Sequence, residues 1–265
     1  MSKVYKTIKQ QKKQHISWIT LSRPNKLNAI NNIMLDELSE AVDNAEKDPD
    51  VKCVIITGAG ERAFSAGADI KELQKLTSET AKMFSVKGQQ IFSKLETLSK
   101  PIIAAMDGYA LGGGLELALA CDFRIAADCS VFGCPEAKLG FIPGWGATQR
   151  LPAVVGLSNA KRLIMAGEML GADEAFRMGL VDKVVSYNDL EAEAKALANK
   201  LCEYPAEALK QAKQVLNSAG KADLGSGFKR ETEAFGLLFS LEDTRKRVAS
   251  FGSQRNKNRE TAKSD

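Results

Sequence analysis

Apolar positions recur along this chain with two periods, one suited to strands and one to helices. From His15 to Leu21 they alternate as in a half-buried strand, and SRPNKLNAI then reads as a turn. Asn32 to Lys47 takes up helical spacing, with Ile33, Leu35, Leu38, Val42 and Ala45 on one side. VKCVIIT, Val51 to Thr57, is a short apolar run of the kind a buried strand makes, and a glycine-rich loop follows it. Ile70 to Leu98 reads as largely helical, and Pro101 introduces a second buried strand, IIAAM. Three glycines then open a helix that runs to about Cys121, and DFRIAAD and VFGCP read as further strands before the turn GFIPGWGATQR. The 3.6-residue period returns in Leu190 to Cys202, Ala206 to Asn217 and Phe228 to Ser250. Strand–loop–helix units followed by a helical tail predict an α/β core with a helical C-terminal extension.

Composition narrows the class. The 265 residues, 44% hydrophobic and 26% charged, suit one large domain or a domain with a smaller appendage. No apolar run approaches a membrane span, and MSKVYKTIKQQKKQH lacks the apolar stretch of a signal peptide, so a cytoplasmic protein is expected. The five cysteines form no CxxC pair and have no histidine at ligand spacing, so no metal site is expected. His15 is the only histidine and has no triad partners beside it, so acid–base work falls to carboxylates, Tyr, Lys or Cys. Lys3, Lys6, Lys9, Lys12 and Lys13 precede the first acidic residue, Asp36, within a net charge of only +4. That basic edge reads as a solvated face, with attraction of an anionic cofactor or RNA as the sharper alternative.

Three stretches can carry chemistry. TGAGERAFSAGADIKE begins like a dinucleotide fingerprint, but a second loop, FSAGAD, intervenes before anything helical, so that reading is rejected. The small residues 66 to 68 can instead bring bare backbone N–H groups to a ligand, with Lys71 placed to meet a phosphate; a simple tight turn is the alternative. In GYALGGGLELALACD, glycines at a helix start leave N–H groups and a positive dipole end facing a developing oxyanion. Glu116 follows three residues after Gly113; complementing the dipole or pairing with an arginine would be its plainer role. In FGCPEAKLGFIPGWG, Glu136 sits in apolar, glycine-rich surroundings. Two such carboxylates suggest an acid/base pair that shares a proton.

GERAFSAGADIKEL, SKPIIAAMDGYALGGGLELALACDFRIAA and FGCPEAKLGFIPGWGATQRLPAVVG together resemble the enoyl-CoA hydratase/isomerase (crotonase) superfamily, over about His15 to the Phe251 region. The resemblance implies the crotonase (ClpP-like) fold, with a core of repeated ββα units carrying the CoA site over residues 1–198. Residues 199–265 would form a helical C-terminal region that assembles trimers, usually stacked into hexamers. It implies an acyl-CoA thioester substrate, no cofactor beyond the substrate's own CoA, and no membrane partner. By position, the N–H groups of Ala66 and Gly113 resemble the oxyanion hole, while Ala66, Gly67, Ala68, Asp69 and Ile70 resemble the loop along the CoA adenine and pantetheine. Lys26, Lys71 and Phe235 carry over as CoA contacts, Phe235 for a neighbouring subunit. Hydratases of the family have both glutamates, at Glu116 and Glu136 here, whereas many isomerases keep only the second. The expected activity is therefore reversible hydration of short-chain trans-2-enoyl-CoA, with Glu116 as base and Glu136 as acid. Dehydration of 3-hydroxypropionyl- or 3-hydroxybutyryl-CoA fits equally. A Δ3,Δ2-enoyl-CoA isomerase is the nearest alternative, and an RNA-binding or inert homologue a remote one. Trp145 stands where family members usually carry a small residue; its indole is expected either in the acyl pocket or at a subunit contact.

Overall fold

A computed structural model describes residues 4–220, 223–248 and 250. The chain divides into two compact units, one ending at Glu203 and one starting at Tyr204. The first opens with β1 (Ile8–Lys13), β2 (Ile16–Leu21), α1 (Asn32–Lys47), β3 (Cys53–Gly58) and β4 (Ala63–Ser65). There follow α2 (Ile70–Leu73), α3 (Ser78–Thr97), β5 (Ile102–Met106), β6 (Tyr109–Leu111), α4 (Gly113–Leu119), β7 (Phe123–Ala127) and β8 (Val131–Gly133). It closes with α5 (Ala147–Met165), β9 (Met169–Gly171), α6 (Ala172–Arg177), β10 (Lys183–Val185) and α7 (Leu190–Cys202).

Two sheets result. One runs β1-β2-β3-β5-β7-β10, the other β4-β6-β8-β9. The pairs β3/β4, β5/β6 and β7/β8 each place their first strand in the large sheet and their second in the small one, and helix follows each pair. This is the repeated ββα unit. Within the large sheet all pairings from β2 onward are parallel, so β3 and β5 are apolar along almost their whole length. The core lies where the α1 and α3 apolar faces, through Leu35, Leu38, Val42, Phe84, Ile91 and Phe92, meet β2, β3 and β5.

β1 has no amphipathic signature because only Ile8 is buried; it is an edge strand paired to β2 alone, and its lysines blunt the edge. Lys12 pairs with Asp48 and Asp50, and Lys13 with Glu191 while lying over the Trp18 ring, so part of the basic N-terminal charge is met within the fold. The single helix expected over Ile70 to Leu98 is two, because Thr77 and Thr80 form a capping box that restarts the helix at Ser78. A boundary at residue 198 would cut α7. This helix packs on β3, β5 and β7 and so stays with the sheet unit to its end.

The second unit contains α8 (Ala206–Ser218) and α9 (Leu224–Ser240), packed on each other. The continuous helix expected from Phe228 to Ser250 is interrupted: α9 starts earlier, at the Asp223 cap, and ends at Ser240, where Leu241 turns extended. The Ser240 hydroxyl donates back to the Leu237 carbonyl at that end. Phe251 and the residues after it lie outside the described residues.

Candidate active site

The site forms where the loop after β4 meets the start of α4 and the segment from Glu136 to Ala147. The loop's shape is dictated from a distance by Asn28. This buried asparagine, with φ 52°, donates from Nδ2 to the Ala59 and Ala63 carbonyls and accepts the Arg23 N–H on Oδ1. Ser65 Oγ donates to the Asn28 carbonyl, and Asp69 N–H to that of Ile30. Arg23 then grips Asp69 at 2.8 Å, and Asp69 caps α2 through the Lys71 N–H. That ion pair and its capping hydrogen bond hold the Asp69 carboxyl below the usual range against the opposing effect of burial. The stretch SRPNKLNAI is thus the clamp on the 66–69 loop rather than a plain turn.

Gly67 adopts φ 98°, and any Cβ there would stand 2.8 Å from the Leu111 carbonyl and 3.2 Å from the Gly113 nitrogen. The two loops therefore run side by side, and this decides which amides are free. The Ala66 N–H, one of the two expected oxyanion donors, is spent on the Leu27 carbonyl at 2.9 Å, inside the clamp. The expectation for Ala66 is corrected: the neighbouring Ala68 N–H has no acceptor among the described residues, and neither has that of Gly113. A Cβ on Gly113 would lie 3.4 Å from the Ala68 nitrogen, so the two free N–H groups belong to closely adjacent backbone. The signal missed in the sequence is the alternation of the loop: residues 67 and 69 are engaged with Ile30 on one side, which turns residue 68 to the other.

Glu116 sits in α4, whose every residue is buried. Its Oε1 accepts the Trp145 N–H at 2.7 Å and the Ala147 N–H at 2.9 Å. Burial pushes its pKa up, and these amide donors and Arg150 partly offset the shift. The arginine-pairing alternative does not hold, since Arg150 is committed to a bidentate pair with Glu96. Arg150 also donates to the Trp145 carbonyl, which fixes the turn that positions Glu116.

Glu136 stands in the 3-10 helix Pro135–Leu139. It is 7% exposed, and its Oε2 is buried without a partner among the described residues. Burial first, and the charge of Glu116 second, raise its pKa to about 7. Glu136 reaches the start of α4, the helix that carries Glu116: Gly112, with φ 48°, has no room for a Cβ because Glu136 Oε1 occupies that place. Two electrostatically linked carboxylates beside two unpaired amides can take a proton from one atom and give a proton to another while holding negative charge on an oxygen.

The sequence model of the enoyl-CoA hydratase/isomerase family matches residues 11–261. The chain belongs to this family. Among relatives of the enoyl-CoA hydratase/isomerase family, the short-chain-enoyl-CoA hydratase of Clostridium acetobutylicum is 42% identical over 92% of this chain and 94% of its own. The crotonyl-CoA hydratase of Syntrophomonas wolfei is 41% identical, over 96% and 98% of the two chains. A crystal structure of enoyl-CoA hydratase from Bacillus anthracis superposes with a TM-score of 0.90 at 36% identity, covering 94% of this chain and 97% of that one. The crotonase fold expected from the sequence is therefore the observed one.

Of the remaining expected ligand residues, Gly67, Ala68, Asp69 and Ile70 form the loop just described, and Lys71 stands exposed beyond them. Lys26 is exposed in the 3-10 helix Pro24–Lys26, and its charge acts on Asp69. Phe235 belongs to the other unit, exposed on α9 against Phe239. Trp145 is 3% exposed within its own chain. No cluster of three or more metal-ligating side chains occurs among the described residues.

Proposed function

We propose that the chain is an enoyl-CoA hydratase that adds water reversibly to short-chain trans-2-enoyl-CoA. The observation that carries this reading is the pair Glu116 and Glu136, linked electrostatically in a buried site beside the free N–H groups of Ala68 and Gly113. Water bonds through oxygen to Cβ of the substrate while Glu116 takes a proton from it. The electron pair of the double bond moves toward the thioester, and Cα takes a proton from Glu136. Charge that builds on the thioester oxygen faces the Ala68 and Gly113 amides; losing one such donor typically costs about 3 kcal/mol of transition-state stabilisation. The same groups run in reverse dehydrate 3-hydroxyacyl-CoA, so 3-hydroxypropionyl- and 3-hydroxybutyryl-CoA are equally substrates.

The CoA portion lies along Ala66 to Ile70, a loop stiffened by the Arg23–Asp69 pair, with Lys26 and Lys71 supplying positive charge for its phosphates. The reaction needs no cofactor beyond the CoA on the substrate. Copies of the chain assemble through the second unit as a trimer or a dimer of trimers. Exposed Phe228, Phe235, Leu237 and Phe239 on α9 support this, as does the size of that apolar set. No helix among the described residues is long and apolar enough to cross a membrane, which fits the cytoplasmic location inferred for the enzyme.

The test is loss of enoyl-thioester absorbance with crotonyl-CoA for wild type, Glu116→Gln and Glu136→Gln. Each substitution is expected to lower hydration by about 100- to 10,000-fold. Hydration that survives in Glu116→Gln would overturn the two-carboxylate mechanism, and activity of that variant on 3-enoyl-CoA would establish the isomerase instead.

A further inference from the structure

Trp145 spans the gap between α3 and α4. One edge of the indole occupies the place a Cβ on Gly88 would take, and the opposite edge the place a Cβ on Gly113 would take. The ring is locked there: Nε1 donates to the Phe84 carbonyl at 3.2 Å, and Phe84 and Phe92 pack edge-on at centroid distances of 5.1 and 5.6 Å. The turn that carries it is tied to α3 as well, through Ser85 and Gln89 on the Gly144 carbonyl. The backbone of the same residue serves the site, since its N–H donates to Glu116.

A thioester held by its oxygen at Gly113, with Cβ at Glu116, directs the rest of its acyl group toward the residue that touches both. We infer that the Trp145 indole ends the acyl pocket and sets the preference for acyl groups of about four carbons, with Gly88 left as glycine to admit the ring. This rests on the hydratase reading above. The indole is a specificity determinant, and its amide, which every side chain at 145 retains, positions Glu116.

The experiment is kcat/KM for crotonyl-, 2-hexenoyl- and 2-octenoyl-CoA with wild type and Trp145→Ala, and with Trp145→Phe, which keeps the aromatic packing and so guards against loss of folding. The octenoyl-to-crotonyl ratio should rise roughly 100-fold in Trp145→Ala, as expected when several further methylenes are buried. In Trp145→Phe the gain should be smaller and should favour hexenoyl-CoA. A folded variant whose ratio stays within about two-fold of wild type would overturn the role of the indole while leaving the hydratase reading intact. Absence of crotonyl-CoA hydration in the wild type would instead remove the hydratase reading, and this inference with it.

Discussion

At the scale of single residues, the site is defined by side chains that are buried against their charge. Glu136 has a pKa near 7, above its ordinary 4.5, because folding removes it from water and sets it beside Glu116. In the proposed mechanism hydration uses its proton, so kcat/KM should fall as pH rises through about 7, in a profile that reports the coupled pair. Stability follows the same sign. A carboxyl whose pKa is higher folded than unfolded favours the fold below its unfolded pKa, and that contribution is lost as pH rises through the folded value. Glu136→Gln should therefore unfold less readily than wild type at pH 8, by up to about 3 kcal/mol, with the gap closing toward pH 4.5 in denaturant titrations. Asp107 makes an independent case. It is buried between β5 and β6, neither carboxylate oxygen has a partner among the described residues, and burial with the nearby Glu61 charge raises it to about 6. Asp107→Asn should raise the melting temperature at pH 8 and remove the decline in stability between about pH 4 and 6. Of the site residues, both glutamates were legible in the sequence because a carboxylate among leucines or after a proline in an apolar segment contradicts its surroundings. The Ala68 amide was not, since which of three consecutive N–H groups is free depends on what the opposite strand of chain takes.

At the scale of elements, helix starts and loops do the positioning. Gly112 caps α4 at φ 48° with Glu136 in the space of a side chain, so Gly112→Ala should displace that carboxylate. Hydration should drop at least about 100-fold, as for loss of the acid itself, and strain of this kind typically adds about 1–3 kcal/mol of destabilisation. Asn28 offers a contrasting test, because it touches no carboxylate of the pair. Asn28→Ala removes three hydrogen bonds, two that hold the 59–65 loop and one from the Arg23 N–H, and should cost about 3 kcal/mol by chemical denaturation. The buried strands and the α1 and α7 helices follow directly from apolar period, whereas β1 escapes it because an edge strand with one buried residue has no alternation to read. The break between α2 and α3 escapes it for another reason: a capping box overrides a period that continues across it.

At the scale of the whole molecule, the chain consists of two compact units. The sheet unit contains both carboxylates and both free amides, and the α8–α9 unit presents the apolar surface attributed to assembly. Sedimentation should give the mass of three or six copies. Phe235→Glu combined with Leu237→Glu should shift the chain toward the monomer, and retention of the full assembly would exclude α9 from the contact.

The chain's own pattern determines the α/β class, the order of most elements, the helical extension and the two carboxylates, because each is written in local period or in a charge that conflicts with its neighbours. Tertiary structure decides what those marks become. The strands of the β3/β4, β5/β6 and β7/β8 pairs separate into different sheets, SRPNKLNAI becomes the clamp under the 66–69 loop, and the free donor passes from Ala66 to Ala68. Trp145 is placed between Gly88 and Gly113, residues 25 positions apart whose missing side chains make one space. Such outcomes depend on contacts between segments far apart in the chain, and no local period carries them.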